Sequence, residues 1–232
     1  MTEHSMAQSD AWLASTSAEP SRRVTDAATR VNHGLMAVTF LLAYITAESE
    51  YWRLLHVTMG YTLAGLLVYR LAFGVVGPRH ARLSLLWRRA TLAAQWLRDV
   101  LDWRHWSVKA WSQAPMMGVN ASIAVVMVSV VVLTWTGYVS FEEWGPSWWV
   151  DMSSELHEGA SNFMLGGVLL HIASVLVQSV WKNSSYWQRM WSGRVPGKGP
   201  DVARHNLMPV AALIVASAVG FWFAVWSGWV VL

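Results

Sequence analysis

Four of the eight histidines lie in or against long apolar stretches: His33, His56, His157 and His171. An ionisable side chain surrounded by hydrocarbon is costly and marks function. His157 and His171 stand fourteen residues apart. On a helix, fourteen steps of 100° end within about 40° of whole turns and climb roughly 21 Å. Both imidazoles therefore leave one face of one helix, one toward each side of a bilayer. Neutral imidazole ligates metals and relays protons, so the candidate chemistries are axial ligation of a metal cofactor, a zinc site and a proton relay.

The elements that must carry these residues are helices of about 20 apolar residues, the length that crosses hydrocarbon. Five stretches approach it, at about 31–48, 54–76, 116–140, 156–181 and 207–231. Lys and Arg resist translocation and so orient the spans. Arg22, Arg23 and Arg30 precede the first. Arg79, Arg82, Arg88, Arg89, Arg98, Arg104 and Lys109 fill the loop after the second. Lys182, Arg189, Arg194, Lys198 and Arg204 follow the fourth. The opposite loops hold Arg53 alone among Glu48, Glu50, Glu142, Glu143 and Asp151. This pattern predicts a cytoplasmic N-terminus and an outward-facing C-terminus.

Topology then fixes depth. His33 and His171 fall on the inner side, His56 and His157 on the outer side. His33 sits close to the start of its span, so the first helix is expected to begin earlier, near Thr25, or to tilt. Two histidine pairs stacked across a membrane are what two low-spin haems require, with both axial positions of each iron filled. Zinc asks for three or four ligands at one depth, where this chain offers two. A proton relay tolerates histidine but does not explain the fourteen-residue repeat. Haem propionates need cations near the membrane edge. Arg30 lies one turn before His33, Arg53 one turn before His56, and Arg70 at the inner end of the second span; the alternative for all three is snorkelling to the interface. Gly60 and Gly65 let another helix or a flat cofactor approach the second span.

Composition agrees with lipid as solvent. Of 232 residues 54% are hydrophobic and 13% charged, against about 25% charged in soluble domains. Seventeen Trp suit the membrane–water interface. The absence of Cys excludes disulfides, Fe–S clusters and covalent c-type haem. Residues 1–21 are Ser- and Ala-rich without an apolar run, and are expected to form a disordered cytoplasmic tail. In the 79–112 loop, Leu83, Leu86, Ala90, Ala93, Leu97 and Val100 recur at helical spacing, predicting an amphipathic helix on the inner membrane surface; a plain basic loop is the alternative. The expected organisation is all-α: a four-helix transmembrane haem-binding core over 22–195, then a linker and fifth transmembrane helix over 196–232.

The segments that carry the histidines resemble the bacterial cytochrome b561 family, which includes the b-type cytochrome subunits of nickel–iron hydrogenases. Arg30-Val31-Asn32-His33 is similar to the start of that family's first helix. His56-Val57-Thr58-Met59-Gly60, with Tyr69-Arg70-Leu71 and Gly74 through Pro78-Arg79, is similar to its second. His157-Glu158-Gly159-Ala160-Ser161-Asn162, running on to His171, is similar to its fourth. The likeness covers roughly 22–195. It implies two non-covalent b haems in a four-helix core, with the fifth helix of the hydrogenase-associated branch. The chain departs from the pattern at Gly34, where the family usually has Trp, and at Gln113-Ala114-Pro115-Met116, where many relatives read His-Asn-Pro.

Together these readings predict a bacterial inner-membrane di-haem cytochrome that carries electrons between an extracytoplasmic partner and the quinone pool. The partner would be a periplasmic cytochrome c or a catalytic dehydrogenase or hydrogenase subunit; no feature suggests nucleic acid. The acidic, Trp-rich stretch from Phe141 to Asp151 would suit a basic docking surface. The alternatives are a stand-alone oxidase of superoxide or another small donor and, from another class, a redox-inactive transporter or structural subunit.

Overall fold

A computed structural model of the protein describes residues 20–102, 111–181 and 186–231. The predicted tail up to residue 19, and Arg104, Lys109 and Lys182 of the basic loops, lie outside the described residues. The helices are α1 (Ala27–Thr46), α2 (Arg53–Val76), α3 (Leu83–Leu101), α4 (Ala114–Phe141), α5 (Ser147–Trp181), the single turn α6 (Gln188–Trp191) and α7 (Met208–Trp226). Among the described residues four helical segments are long and apolar enough to cross a membrane: Glu50–Val76, α4, α5 and α7. The 20-residue α1 falls short in hydropathy because Arg30, Asn32 and His33 interrupt its first half. Val68, Val128, Leu169, Leu213 and Phe223 point outward, exposed, the inversion expected where lipid rather than water covers the bundle.

Helix α1 begins at Ala27, early enough to bring His33 down into the bundle. Asp26 is its N-cap, and its carboxylate accepts the Thr29 N–H at 2.7 Å. Helix α5 starts nine residues before its apolar run. Glu143 and Gly145 turn the chain with positive φ, and the Pro146 carbonyl accepts from Trp149 and Val150. The first turns of α5 mix Trp148, Trp149, Val150 and Met152 with Asp151, Ser153, Ser154 and Glu155, and so give no continuous apolar run. At the other end of the chain, Gly228 (φ 77°) closes α7, its N–H donating to Val225 and the next two amides to Ala224.

α4 and α5 pack along each other, as do α1 and α2. Glycines allow the first pairing. A Cβ at Gly167 would lie 2.7 Å from Val125, and one at Gly118 would collide with Ser174. The backbone of α5 stands off from α1 and α2. The gap is bridged at mid-height by buried Met164, which clusters with Leu63, Leu67 and Val130. α7 packs on the outside of α1 and α2: Ile214 joins Ala28 and Leu66, and the Trp222 indole N–H donates to Thr62 Oγ1 at 2.8 Å.

Two features lie outside the spanning helices. Ser21–Arg23 (β1) pairs antiparallel with Arg194–Pro196 (β2), a short ribbon beside an otherwise helical bundle, and Ser21, expected in the tail, is its first residue. Three-residue strands have no periodicity to read. The helix expected within 79–112 runs from Leu83 to Leu101 and packs against α4, with Ala93 buried; residues 103–110 of that loop lie outside the described residues.

Candidate functional site

Two pairs of imidazoles face each other across the gap between α5 and the α1/α2 pair. His33 of α1 and His171 of α5 have ring centres 6.2 Å apart and planes 47° apart. His56 of α2 and His157 of α5 have centres 6.1 Å apart and planes at 71°. The fourteen residues between His157 and His171 set the two levels roughly 21 Å apart along α5. Met164, seven residues from each, fills the interior between them.

Local packing fixes which ring nitrogen faces the gap. His56 Nδ1 lies 2.8 Å from the Ala43 carbonyl. His157 Nδ1 lies 3.1 Å from the Leu133 carbonyl. A carbonyl only accepts, so each Nδ1 carries the proton and Nε2 keeps the free lone pair. The Thr136 hydroxyl, which donates to Val132, is a second acceptor 3.2 Å from His157 Nδ1. On the other level, the Ser122 hydroxyl donates to the Val119 carbonyl at 2.9 Å and lies 3.1 Å from His171 Nδ1. It therefore accepts from that ring. Partners of this kind fix a histidine's tautomer and ring orientation and, where such a ring ligates a metal, raise its basicity. Sequence reasoning missed them: a Ser or Thr in an apolar helix looks like any side chain bonded back to its own turn, as Ser122 and Thr136 also are. Gly137 completes the mount, since a Cβ there would sit 2.9 Å from the His157 ring.

Beside His56 and His157 opens a cavity of about 500 Å³, lined also by Phe40, Tyr44, Gly60 and Val130. Gly60 is where a flat group could lie against the helix: a Cβ there would meet nothing within 4 Å. Glu48, Glu50 and Glu158 lie on the cavity wall with Arg53. That guanidinium is 3.7 Å from Glu50 and 5.5 Å from the Phe141 ring centre.

The other two predicted arginines are held differently. Arg30 donates Nη1–H to the Trp191 carbonyl at 2.9 Å, while its Nε is buried with no partner. Arg70 donates to the Ala81 carbonyl at 3.0 Å, tying α2 to the following turn. Close by, buried Asp26 accepts from His80 Nε2 at 2.5 Å, a contact that locks the start of α1 to the same turn.

Among the described residues no three His, Cys, Asp or Glu side chains converge. Each level is a two-nitrogen site. A tetrahedral ion is not satisfied by two ligands, whereas an iron already held by four in-plane nitrogens needs two axial ones. Two imidazoles on opposite sides of one metal, each bond about 2.0–2.1 Å, place their ring centres roughly 6–6.5 Å apart, the spacing seen at both levels.

The chain matches no curated protein and no solved structure. The family profile of prokaryotic cytochrome b561 matches residues 24–193. That range contains all four histidines and every helix from α1 to α6, and leaves α7 outside. With an all-helical membrane bundle and haem-compatible histidine levels, the match identifies the chain as a multi-pass bacterial membrane b-type cytochrome of electron transfer, a member of the prokaryotic cytochrome b561 family.

Proposed function

We propose that the protein holds two b haems, one iron between His33 and His171 and one between His56 and His157, and that it carries electrons across the membrane between an extracytoplasmic partner and quinone. The observation that carries this reading is the pair of facing imidazoles at 6.2 and 6.1 Å, each level on the same stand-off between helices. Bound haem supplies one-electron redox chemistry. The chain's own residues supply the rest. Ala43, Leu133 and Ser122 aim the rings. Met164 and its neighbours exclude water between the levels. Gly60 leaves room for a macrocycle. Arg30, with its unpartnered buried Nε, and Arg53 offer cations to propionates. Arg70, engaged with Ala81, would serve the inner end.

The orientation we assign follows the basic loops: N-terminus cytoplasmic, C-terminus periplasmic, the His56/His157 level outward. Charge around that level bears on the donor. Glu48, Glu50, Glu142, Glu143, Asp151, Glu155 and Glu158 are all exposed at this end, against Arg53. Such a field attracts a basic protein surface and repels an anion. It favours a cationic cytochrome c or a redox subunit over superoxide as donor. Quinone at the inner level completes the route.

A pyridine haemochrome assay on the detergent-purified protein tests the reading. Two haems per chain are expected. His171→Ala should remove the inner one and spare the outer signal. One haem in the wild type, or both surviving His171→Ala, would overturn the pairing.

A further inference from the structure

The two histidine levels are mounted on acceptors of unequal strength. At His56/His157 both rings donate to backbone carbonyls, at 2.8 and 3.1 Å, with the Thr136 hydroxyl adding a third acceptor. At His33/His171 the acceptor is a single hydroxyl, Ser122, which already spends its own proton on Val119. Among the described residues the His33 ring makes no hydrogen bond. An acceptor on Nδ1–H gives the imidazole more imidazolate character, so Nε2 donates more strongly and stabilises oxidised iron.

Fixed charge points the same way. Three carboxylates (Glu48, Glu50, Glu158) and one guanidinium (Arg53) line the cavity at the His56/His157 level. Their excess of negative charge also favours the oxidised form. One turn from His33, by contrast, stands the Arg30 guanidinium, with its buried Nε unpartnered.

From these two asymmetries we infer that the His33/His171 level has the higher reduction potential, and that Ser122 is the side chain that tunes it. Ser122 is a positioning residue, acting through His171. The inference rests on the four-histidine reading above and adds an order to it: the level at the acidic end gives up an electron more readily, and the level at the basic end keeps it.

The test is an equilibrium redox titration of the purified haem-loaded protein, followed in the haem absorption bands. Haem content is counted first, so failure of the ligand reading shows before any potential is measured. Two one-electron waves are expected, and His157→Ala should delete the lower one. Ser122→Ala should shift the upper wave upward, changing its oxidised-to-reduced ratio severalfold at fixed potential, and Ser122→Thr should restore the wild-type value. An independent arm needs no buried change: Glu48→Gln with Glu50→Gln, both exposed, should raise the lower wave alone. Loss of the upper wave in His157→Ala, or a Ser122→Ala protein with both haems and an unmoved upper wave, would overturn the inference. So would a response of the upper wave, and not the lower, to the Glu48/Glu50 change.

Discussion

Met164 is packed against Leu63, 1% and 5% exposed respectively, where the interior of α5 reaches α2 between the two histidine levels. The bundle is thus closed at mid-height and open above it, where the cavity at His56 and His157 begins. The stand-off of α5 that leaves space at each level would be unstable without this clasp.

Met164→Ala should therefore cost about 2–5 kcal/mol of folding stability, the usual range for emptying a buried Met site. The check is a thermal or denaturant midpoint in detergent, compared with Leu169→Ala. Leu169 is exposed on the outer surface of the same helix, and its loss should barely move the midpoint.

Gly137→Val drives a side chain into the His157 ring and should displace it from Leu133. The expected result is loss of the haem signal belonging to the His56/His157 level, with the other retained, read by reduced-minus-oxidised spectra. Gly60→Phe should do the same by another route, filling the space beside His56 without touching either ring's hydrogen bond.

Asp26 serves two masters, the Thr29 amide and His80. Asp26→Ala removes both and should destabilise the protein by about 1 kcal/mol for the cap, with a further loss from the broken contact to His80. Asp26→Asn keeps an acceptor for the cap and should lose less. The midpoints of the two variants, measured side by side, decide it.

Trp222→Phe keeps the ring and deletes the hydrogen bond to Thr62, a loss of about 0.5–1.5 kcal/mol. Limited proteolysis near the start of α7 should accelerate in proportion to the weakened attachment. No change in either stability or cleavage would mean that α7 is held by its apolar face alone.

If a cationic partner docks at the acidic end, Glu48→Gln, Glu50→Gln and Glu158→Gln together should slow its association and flatten the salt dependence. Stopped-flow reduction by a basic cytochrome c at two ionic strengths reads both quantities.

That His33 faces His171 and His56 faces His157 was legible because two constraints act together: alternating spans set which helix ends meet, and the helical rise spaces His157 from His171. Periodicity and hydropathy located α2, α4 and α7 closely. The same signal failed at the start of α5, where Trp148, Trp149 and Val150 are followed by Asp151, Ser153, Ser154 and Glu155 and the Pro146 turn announces the helix. It also could not reach the hydrogen bonds of the rings. Those depend on how α4 is rotated against α5, and that rotation is set by Gly118, Gly137 and Gly167, whose role is to be absent rather than to pattern. Arg30 and Arg70 show the same limit. Their place in the chain suggested cofactor contacts, while their partners, Trp191 and Ala81, are carbonyls that no sequence rule nominates.

The strand pairing at the chain's beginning has a consequence for biogenesis. The amide of Arg23 donates to the Asp201 carboxylate across 178 positions of sequence, and that of Ala27 to the Asn206 carbonyl. A ribosome must synthesise most of the polypeptide before these acceptors exist. The Ser21–Arg23 strand and the Ala27 amide consequently wait for their acceptors while four helices enter the bilayer ahead of the last, and closure of this long loop is a late act of assembly.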